Sequence, residues 1–345
     1  RNMIINGSMA VSQRGTSSTG QGASDLFLVD RFHLNTNGNS AGRFTVTQES
    51  DGPSGIPNSL KLACTTADTS IAASERFFIE QRLEGQNLQR MKKGTSDAQA
   101  ITVSFYVKGN AAATYVVGIF DTDNSRQIGA QFSVTTSWNR VSVTFPGDTG
   151  GSALDDDNAE SLSLRFFLHA GSTYTGGTLQ TTWDTAAGNE QVGSGTTSIF
   201  DSTSRTFFLT GVQMELGEQA TPFEHRSFGD ELQRCQRYYY KISGDANLDF
   251  GVGICTTTTL AAVNCPFAVP MREKPTALEQ SGTATHYDVL VDNGVVIANA
   301  VPVFQRATTV SSTVGHGVAS GLTAGEATIM RSRDNDAFLA WSAEL

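Results

Sequence analysis

Polar and apolar residues alternate with a period of two along most of this chain, and that alternation identifies its elements. In "AITVSFYVKG", Ile101, Val103, Phe105 and Val107 fall on one face of a strand, with Thr102, Ser104 and Tyr106 on the other. "TYVVGIFD", "DTDNSR" and "QIGAQFSV" read as strand, turn and strand. "WNRVSVTFPG" sets Val141, Val143 and Phe145 on one side, and "SLSLRFFLHAG" is a further half-buried strand. In "RTFFLTGVQMELG", Phe208, Thr210, Val212 and Met214 alternate with Phe207, Leu209, Gly211 and Gln213. Clusters of Gly, Ser, Asp and Asn separate these runs, with no helical crossover between them. Parallel βαβ units are therefore excluded, and an antiparallel β-sandwich is predicted over residues 1–222.

The pattern changes once. Pro222 stops strand pairing because it has no N–H. Ser227 followed by Asp230 matches a capping box, and Asp230 and Glu231 sit where a helix dipole favours carboxylates. Phe228, Leu232, Cys235 and Tyr239 then form one apolar stripe at helical spacing, so residues 223–240 are expected to be a helical connector. Alternation resumes afterwards. "NLDFGVGICTTTTLAAVNCPFAVPMR" predicts a pair of strands ending at Pro270, and Asp292-Asn293-Gly294 is a strong hairpin signal. Another hairpin is expected around Arg333–Asp336, its last strand carrying Phe338 and Trp341 to a structured, complete C-terminus. Residues 241–345 form a second, smaller β-domain, which makes the fold class all-β. The chain begins at Arg1 rather than Met, so further residues are expected upstream.

Composition narrows the function. Charged residues are 17% of the chain, below the usual quarter, so its surface must be rich in Ser, Thr, Asn, Gln and Gly. The net charge of −10 opposes binding to nucleic acid phosphates or to an anionic membrane. The densest basic spot, "RMKKG" at Arg90–Gly94, reads as a solvated turn. No apolar run approaches the roughly 20 residues of a spanning helix, and "RNMIINGSMAVSQRG" lacks the long apolar region of a signal peptide. Cys64, Cys235, Cys255 and Cys265 have neither zinc nor redox spacing. Cys255 and Cys265 could face each other across a hairpin, but single buried thiols are the expected state.

Catalytic signatures are few and fail on context. Gly38-Asn39-Ser40-Ala41-Gly42 matches G-x-S-x-G, yet a strand pattern follows where a nucleophile elbow needs a helix. "DTDNSRQIGAQF" starts like a calcium loop but has Arg126 where Gly is required and Phe132 where the bidentate Glu belongs, so a hairpin turn is expected. Asp155, Asp156 and Asp157 form a denser acidic cluster and are the candidate Ca²⁺ ligands, against the reading of a solvated loop. The five histidines show no metal-ligand pairing. Carboxylate pairs for glycoside hydrolysis are defined by separation in space, on which sequence proximity is silent. No catalytic residue is assigned, and no cofactor beyond the candidate Ca²⁺. Flat aromatic faces suit sugar rings. Trp138 is expected in the core at a sandwich edge, whereas Trp183, in the polar "TLQTTWDTAAGNEQVGSG", and Tyr174 are the candidate ligand-binding residues.

The segments "RNMIINGSMAVSQRGT", "VDRF", "IEQRLEG", "SWNRVSVTFPG", "FFLTGVQMELGEQATPFEHRSFGDELQRCQRYYY", "FAVPMREKPTA" and "WSAEL" resemble, in the same order, those of phage tail-fibre and virion-appendage proteins, marine and cyanobacterial phages among them. The resemblance implies a non-enzymatic protein of the virion, with a carbohydrate-binding-module-like jelly roll followed by a small β-domain. It supplies no binding residues to transfer. The expected function is a tail fibre or receptor-binding appendage that adheres to host cell-surface glycan. Single shallow sugar sites are weak and gain from multivalency, so a homo-oligomer, specifically a trimer, is expected. A head-decorating or connecting protein that binds other virion proteins is the second reading, and a glycan depolymerase the third.

Overall fold

In the computed structural model, Ile101, Val103, Phe105 and Val107 are at most 1% exposed. Strict alternation places one face of their strand wholly in a core, and the same logic builds the other strands. The structure describes residues 1–36, 38, 41–243 and 246–345. Asn39 and Ser40 of the G-x-S-x-G motif lie outside the described residues. Two compact units are present, Arg1–Glu231 with Leu345, and Leu232–Glu344.

The first unit contains β1 (Ser17–Gln21), β2 (Leu26–Phe27), β3 (His33–Asn35), β4 (Arg43–Glu49), β5 (Ser59–Thr66), β6 (Arg76–Glu84) and β7 (Ile101–Gly109). These are followed by β8 (Ala113–Asp121), β9 (Arg126–Val134), β10 (Asn139–Phe145), β11 (Glu160–Ala170), the single-turn helix α1 (Ser172–Thr175), β12 (Asp184–Thr185) and β13 (Thr206–Leu216). One sheet runs β1-β4-β5-β13-β7-β10, the other β12-β9-β8-β11-β6-β3-β2. Every pairing is antiparallel, and β13 and β11 insert between strands distant in sequence, as in a jelly roll. The inner faces meet through aromatic rings: Phe105 lies edge-on to Phe132 and to Phe166, each at 5.0 Å, and Phe44 lies 4.9 Å from Phe77. The predicted turn in "DTDNSR" is the β8–β9 hairpin, closed by Asp121 opposite Arg126.

Two features modify the simple alternation. In β13 the register shifts between Thr210 and Gln213, and Gly211 takes φ +59°. The bulge turns the strand over, so Phe207 and Leu209 face the core before it and Val212 and Met214 after it. An added Cβ at Gly211 would stand 2.8 Å from both Ile56 and Tyr106. The N-terminal segment, meanwhile, is stitched to β13 by buried asparagines. Asn2 Oδ1 accepts the N–H groups of Ile4 and Met214, each at 3.0 Å. Asn6 Nδ2 donates to the carbonyls of Val11 (2.8 Å) and Asp30 (2.9 Å), and its Oδ1 accepts from Val11.

A short helix α2 (Phe228–Gln236) joins the sandwich to the C-terminal β-unit. Ser227 caps it as expected, accepting the Asp230 N–H at 3.1 Å. The apolar stripe is only partly realised. Phe228 is 61% exposed, and Tyr239 already belongs to the following strand. Glu231 takes the buried position instead, its carboxylate accepting the Asn6 N–H and facing Arg226 at 3.4 Å. No helix among the described residues is long and apolar enough to cross a membrane.

The second unit comprises β14 (Tyr239–Ser243), β15 (Asp249–Cys255), β16 (Leu260–Pro266), β17 (Glu279–Gln280), β18 (Tyr287–Val291), β19 (Gly294–Ile297), β20 (Val303–Ala307), β21 (Ser311–Gly317), β22 (Ala327–Ser332) and β23 (Phe338–Ser342). A seven-stranded sheet runs β19-β18-β22-β15-β16-β21-β20 and a small one β14-β23-β17. Asp292-Asn293 forms the expected tight turn between β18 and β19. The hairpin expected around Arg333–Asp336 does not form, because β22 and β23 enter different sheets. Leu339, Ala340 and Trp341 are all buried, so β23 serves as the central strand of its own sheet rather than as a half-exposed hairpin arm. Cys255 pairs with Ala261 and Cys265 with Ser312, so these thiols do not face each other, and all four cysteines are buried and outside any disulfide.

Candidate functional site

The outer face of the second sandwich sheet collects the chemistry of this chain. Side chains directly opposite in antiparallel strands share a face, and the register lines up three rows across β3, β6, β11, β8 and β9. The middle row is His33, Glu80, Arg165, Gly118 and Gly129. On one side runs a row of Phe78, Phe167, Val116 and Gln131, and on the other Arg82, Ser163, Phe120 and Gln127. The apolar partners of these strands, such as Ile79, Leu164, Phe166 and Val117, point into the core.

Glu80 is the anchor. It is 1% exposed and meets His33 Nδ1 at 3.0 Å, Arg82 Nη2 at 2.8 Å and Arg165 Nε at 3.2 Å. Burial alone would raise its pKa, but the His33 hydrogen bond and the charges of Arg165, Arg82 and His33 outweigh burial and hold it at about 2. Glu160, beside Arg82 at 3.4 Å, is pushed up by its own burial despite that neighbour. The carboxylates fix the guanidinium groups, and aromatic rings support them from below. Arg165 stands 4.2 Å over Phe120 and 5.2 Å over Phe78, and Arg76 stands 4.6 Å over Tyr174 and 4.9 Å over Phe78. Burial pushes both arginines below their ordinary pKa, without removing their charge.

The segment following β11 folds over part of this face. Val192 packs with Phe78, Val116 and Phe167, and Tyr174 and Leu179 lie against the same cluster. Gly129 allows the close approach: an added Cβ there would meet Leu179 at 3.1 Å. A narrow pocket opens there, lined by Arg165, Phe120, Gln127, Gln180, Glu190 and Gln191. Two polar atoms on the face lack any hydrogen-bond partner among the described residues, Arg76 Nε and Ser163 Oγ.

Of the candidate residues read from the sequence, Tyr174 lies at the rim of this face, beneath Arg76. Trp183 lies elsewhere: its indole N–H donates to the Pro146 carbonyl at 2.8 Å and its ring packs against the main core. The two are half-buried in separate apolar clusters. Asp155, Asp156 and Asp157 are exposed in the loop before β11. Asp157 Oδ1 accepts the Ala159 N–H at 2.9 Å, and the Asp155 N–H donates to Asp123 at 2.9 Å. Trp138 is half-buried at the sandwich edge, donating to Asp51 at 3.1 Å and lying edge-on to Phe208. Sequence reasoning missed Arg76, Glu80 and Arg165. The available signal was charged residues at outward positions of strands whose inward positions are mostly apolar, as in "IEQRLEG" and "SLSLRFF".

No protein-family model and no curated protein matches the chain. Among solved structures, it is similar to the enzymatically active domain of bacteriophage CBA120 tailspike protein 4, at 13% identity and a TM-score of 0.30, over 62% of this chain and 21% of that one. The chain thus spans about a fifth of that tailspike domain. It is also similar to TmCBM61, solved with β-1,4-galactotriose, at 10% identity and a TM-score of 0.32, over 63% of this chain and 99% of that one. A third likeness is to the family 11 carbohydrate-binding module of Clostridium thermocellum, solved with a β-1,3-1,4-mixed-linked tetrasaccharide. There the identity is 12% and the TM-score 0.29, over 61% of this chain and 98% of that module.

Proposed function

We propose that this chain is a non-enzymatic virion appendage that adheres to host cell-surface glycan through the outer face of its second sheet. The observation that carries the reading is the face itself. Rigidly held guanidinium groups lie over aromatic rings, and Arg76 and Tyr174 at the rim stay partly exposed. A sugar ring stacks on an aromatic face such as Tyr174, and its hydroxyls accept from the half-buried guanidinium of Arg76. The resemblance of the whole chain to tail-fibre segments supports the virion setting. Host-envelope polysaccharide immobilised on a surface is expected to retain the full chain. Substituting Arg76→Ala together with Tyr174→Ala is expected to weaken retention about tenfold, the effect of roughly 1–2 kcal/mol of lost stacking and hydrogen bonding. Retention unchanged in the double variant, or release of reducing ends from the polysaccharide, would refute the reading.

Multivalency calls for several copies, and the second unit supports self-association. Val295, Leu290, Ile329 and Val252 form one row across β19, β18, β22 and β15. Val252 is 64% exposed and Val295 49%, with Ile254 close by at 48%. An exposed apolar row of this kind marks an association surface, and we assign it to other copies of this chain in a trimer. Light scattering is expected to give three times the chain mass, and Val252→Asp with Ile254→Asp to yield monomer. A monomeric wild type disproves this assignment.

A further inference from the structure

Away from the rows just described, Asp68, Glu75 and His169 converge. Asp68 follows β5, Glu75 precedes β6, and His169 lies near the end of β11. One ligand-type atom from each lies within 4.8 Å of the others. The residues are 4%, 0% and 2% exposed. Asp68 Oδ1 accepts the Ser70 N–H at 3.1 Å, whereas Asp68 Oδ2 is buried with no hydrogen-bond partner among the described residues. A carboxylate oxygen held this way costs free energy unless something else occupies its lone pairs.

The distances around His169 indicate what that is. Its Nε2 lies 3.3 Å from Glu75 Oε2, longer than the roughly 2.7–2.9 Å of a charge-assisted hydrogen bond. It matches two ligands on one tetrahedral ion: metal–nitrogen and metal–oxygen bonds of about 2.0–2.2 Å place neighbouring ligands about 3.3–3.5 Å apart. The other ring nitrogen, Nδ1, lies 2.8 Å from Ser198 Oγ. An Nδ1–H donated to that hydroxyl leaves the Nε2 lone pair directed at the two carboxylates, the tautomer a metal-bound imidazole needs. Surface acidic clusters are satisfied by water; this one is enclosed.

We propose that Asp68, Glu75 and His169 bind one divalent first-row transition ion, with the chemistry of Zn²⁺. One imidazole nitrogen and two carboxylate oxygens, with a water as the fourth ligand, suit that ion, whereas Ca²⁺ requires six to eight oxygens. The ion has a structural role. Glu75 adjoins Arg76, and its carbonyl accepts the Gly171 N–H at 2.8 Å, three residues before Tyr174. A metal at Glu75 and His169 therefore ties the loop before β6 to the end of β11, where the covering segment begins. The site stands whether or not the face binds glycan.

The test is calorimetric titration of Zn²⁺ into the chelator-stripped full chain. One Zn²⁺ per chain is expected, together with a higher unfolding temperature. Asp68→Asn and His169→Gln are expected to abolish the stoichiometric site. Ser198→Ala is expected to weaken it about 10- to 100-fold, and His33→Gln to leave it intact. Because the first two variants carry a risk of misfolding, Co²⁺ is added to the stripped wild type, which is expected to give the visible bands of a tetrahedral site. Equal Zn²⁺ uptake by wild type and Asp68→Asn, preference for Ca²⁺, or a Co²⁺ spectrum without those bands would each overturn the assignment.

Discussion

Substituting Lys93 with Met is expected to destabilise the sandwich by about 3–5 kcal/mol, the cost of leaving a buried charge without its partner. The side chains of Lys93, Asp121 and Asp148 are 2%, 0% and 2% exposed. Lys93 Nζ lies 2.5 Å from Asp121 and 3.1 Å from Asp148. Without the ammonium, Asp148 keeps its two-pronged contact with Arg126, at 2.8 and 2.9 Å. Asp121 keeps, among the described residues, Asn124, a neutral donor. The double variant Lys93→Met with Asp121→Asn removes both charges and is expected to recover most of the loss, because an ion pair and a neutral replacement of similar volume are close in free energy. Urea unfolding monitored by circular dichroism measures both. A single variant within 1 kcal/mol of wild type, or a double variant no better than the single, would show that this triad does not hold the loop.

Lys93 also shows where the sequence stops being readable. In "RMKKG" the two lysines look alike, and the reading of a solvated turn holds for Lys92, exposed at φ 51°, but not for Lys93. What separates them is contact with Asp121 and Asp148, from a hairpin and a loop that the local pattern does not specify. The strands were legible because one face of each is buried, and burial writes itself into a period of two. Phe105 and Phe145 could be placed this way. Glu80 and Arg165 could not, since they meet only when β6 pairs with β11, and their partnership is a matter of register between distant segments. Gly211 defeated the alternation for a related reason: a bulge keeps the residues of both halves apolar and changes only which of them face inward. At Arg333–Asp336 a good turn sequence was present, yet the strand after it found better burial in another sheet. Turn chemistry allows a hairpin, and tertiary packing decides whether one forms. The candidate site was legible only at Tyr174, because an aromatic residue in a polar loop stands out whereas a charge inside a strand pattern does not.

Acid is expected to unfold the two units in sequence, the C-terminal one first. His316 on β21 is fully buried, 6.0 Å from the Tyr287 ring, and neither ring nitrogen has a partner among the described residues. Burial depresses its pKa from 6.5 to about 4. The native imidazole is therefore neutral where the unfolded one takes up a proton. Stability is complete above pH 6.5, falls between 6.5 and 4, and by pH 4 has lost about 3 kcal/mol through this group alone. The first unit is governed by Glu80, held at about 2 against an ordinary 4.5. Its contribution is complete above pH 4.5 and is lost, again by about 3 kcal/mol, as pH falls from 4.5 to 2. His169, in the first unit, is also depressed by burial, but the Glu75 carboxylate 3.3 Å away opposes that shift and limits that unit's loss in the upper window. Peptide-resolved hydrogen exchange is expected to show β15, β16 and β21 losing protection near pH 5 while β7, β11 and β13 stay protected until below pH 4. His316→Leu removes the titrating group and two unpartnered nitrogens, and is expected to move the first transition down toward the second. Coincident loss of protection in both units, or a first transition unmoved in His316→Leu, would mean that the buried imidazole is not what sets the acid limit of the C-terminal unit.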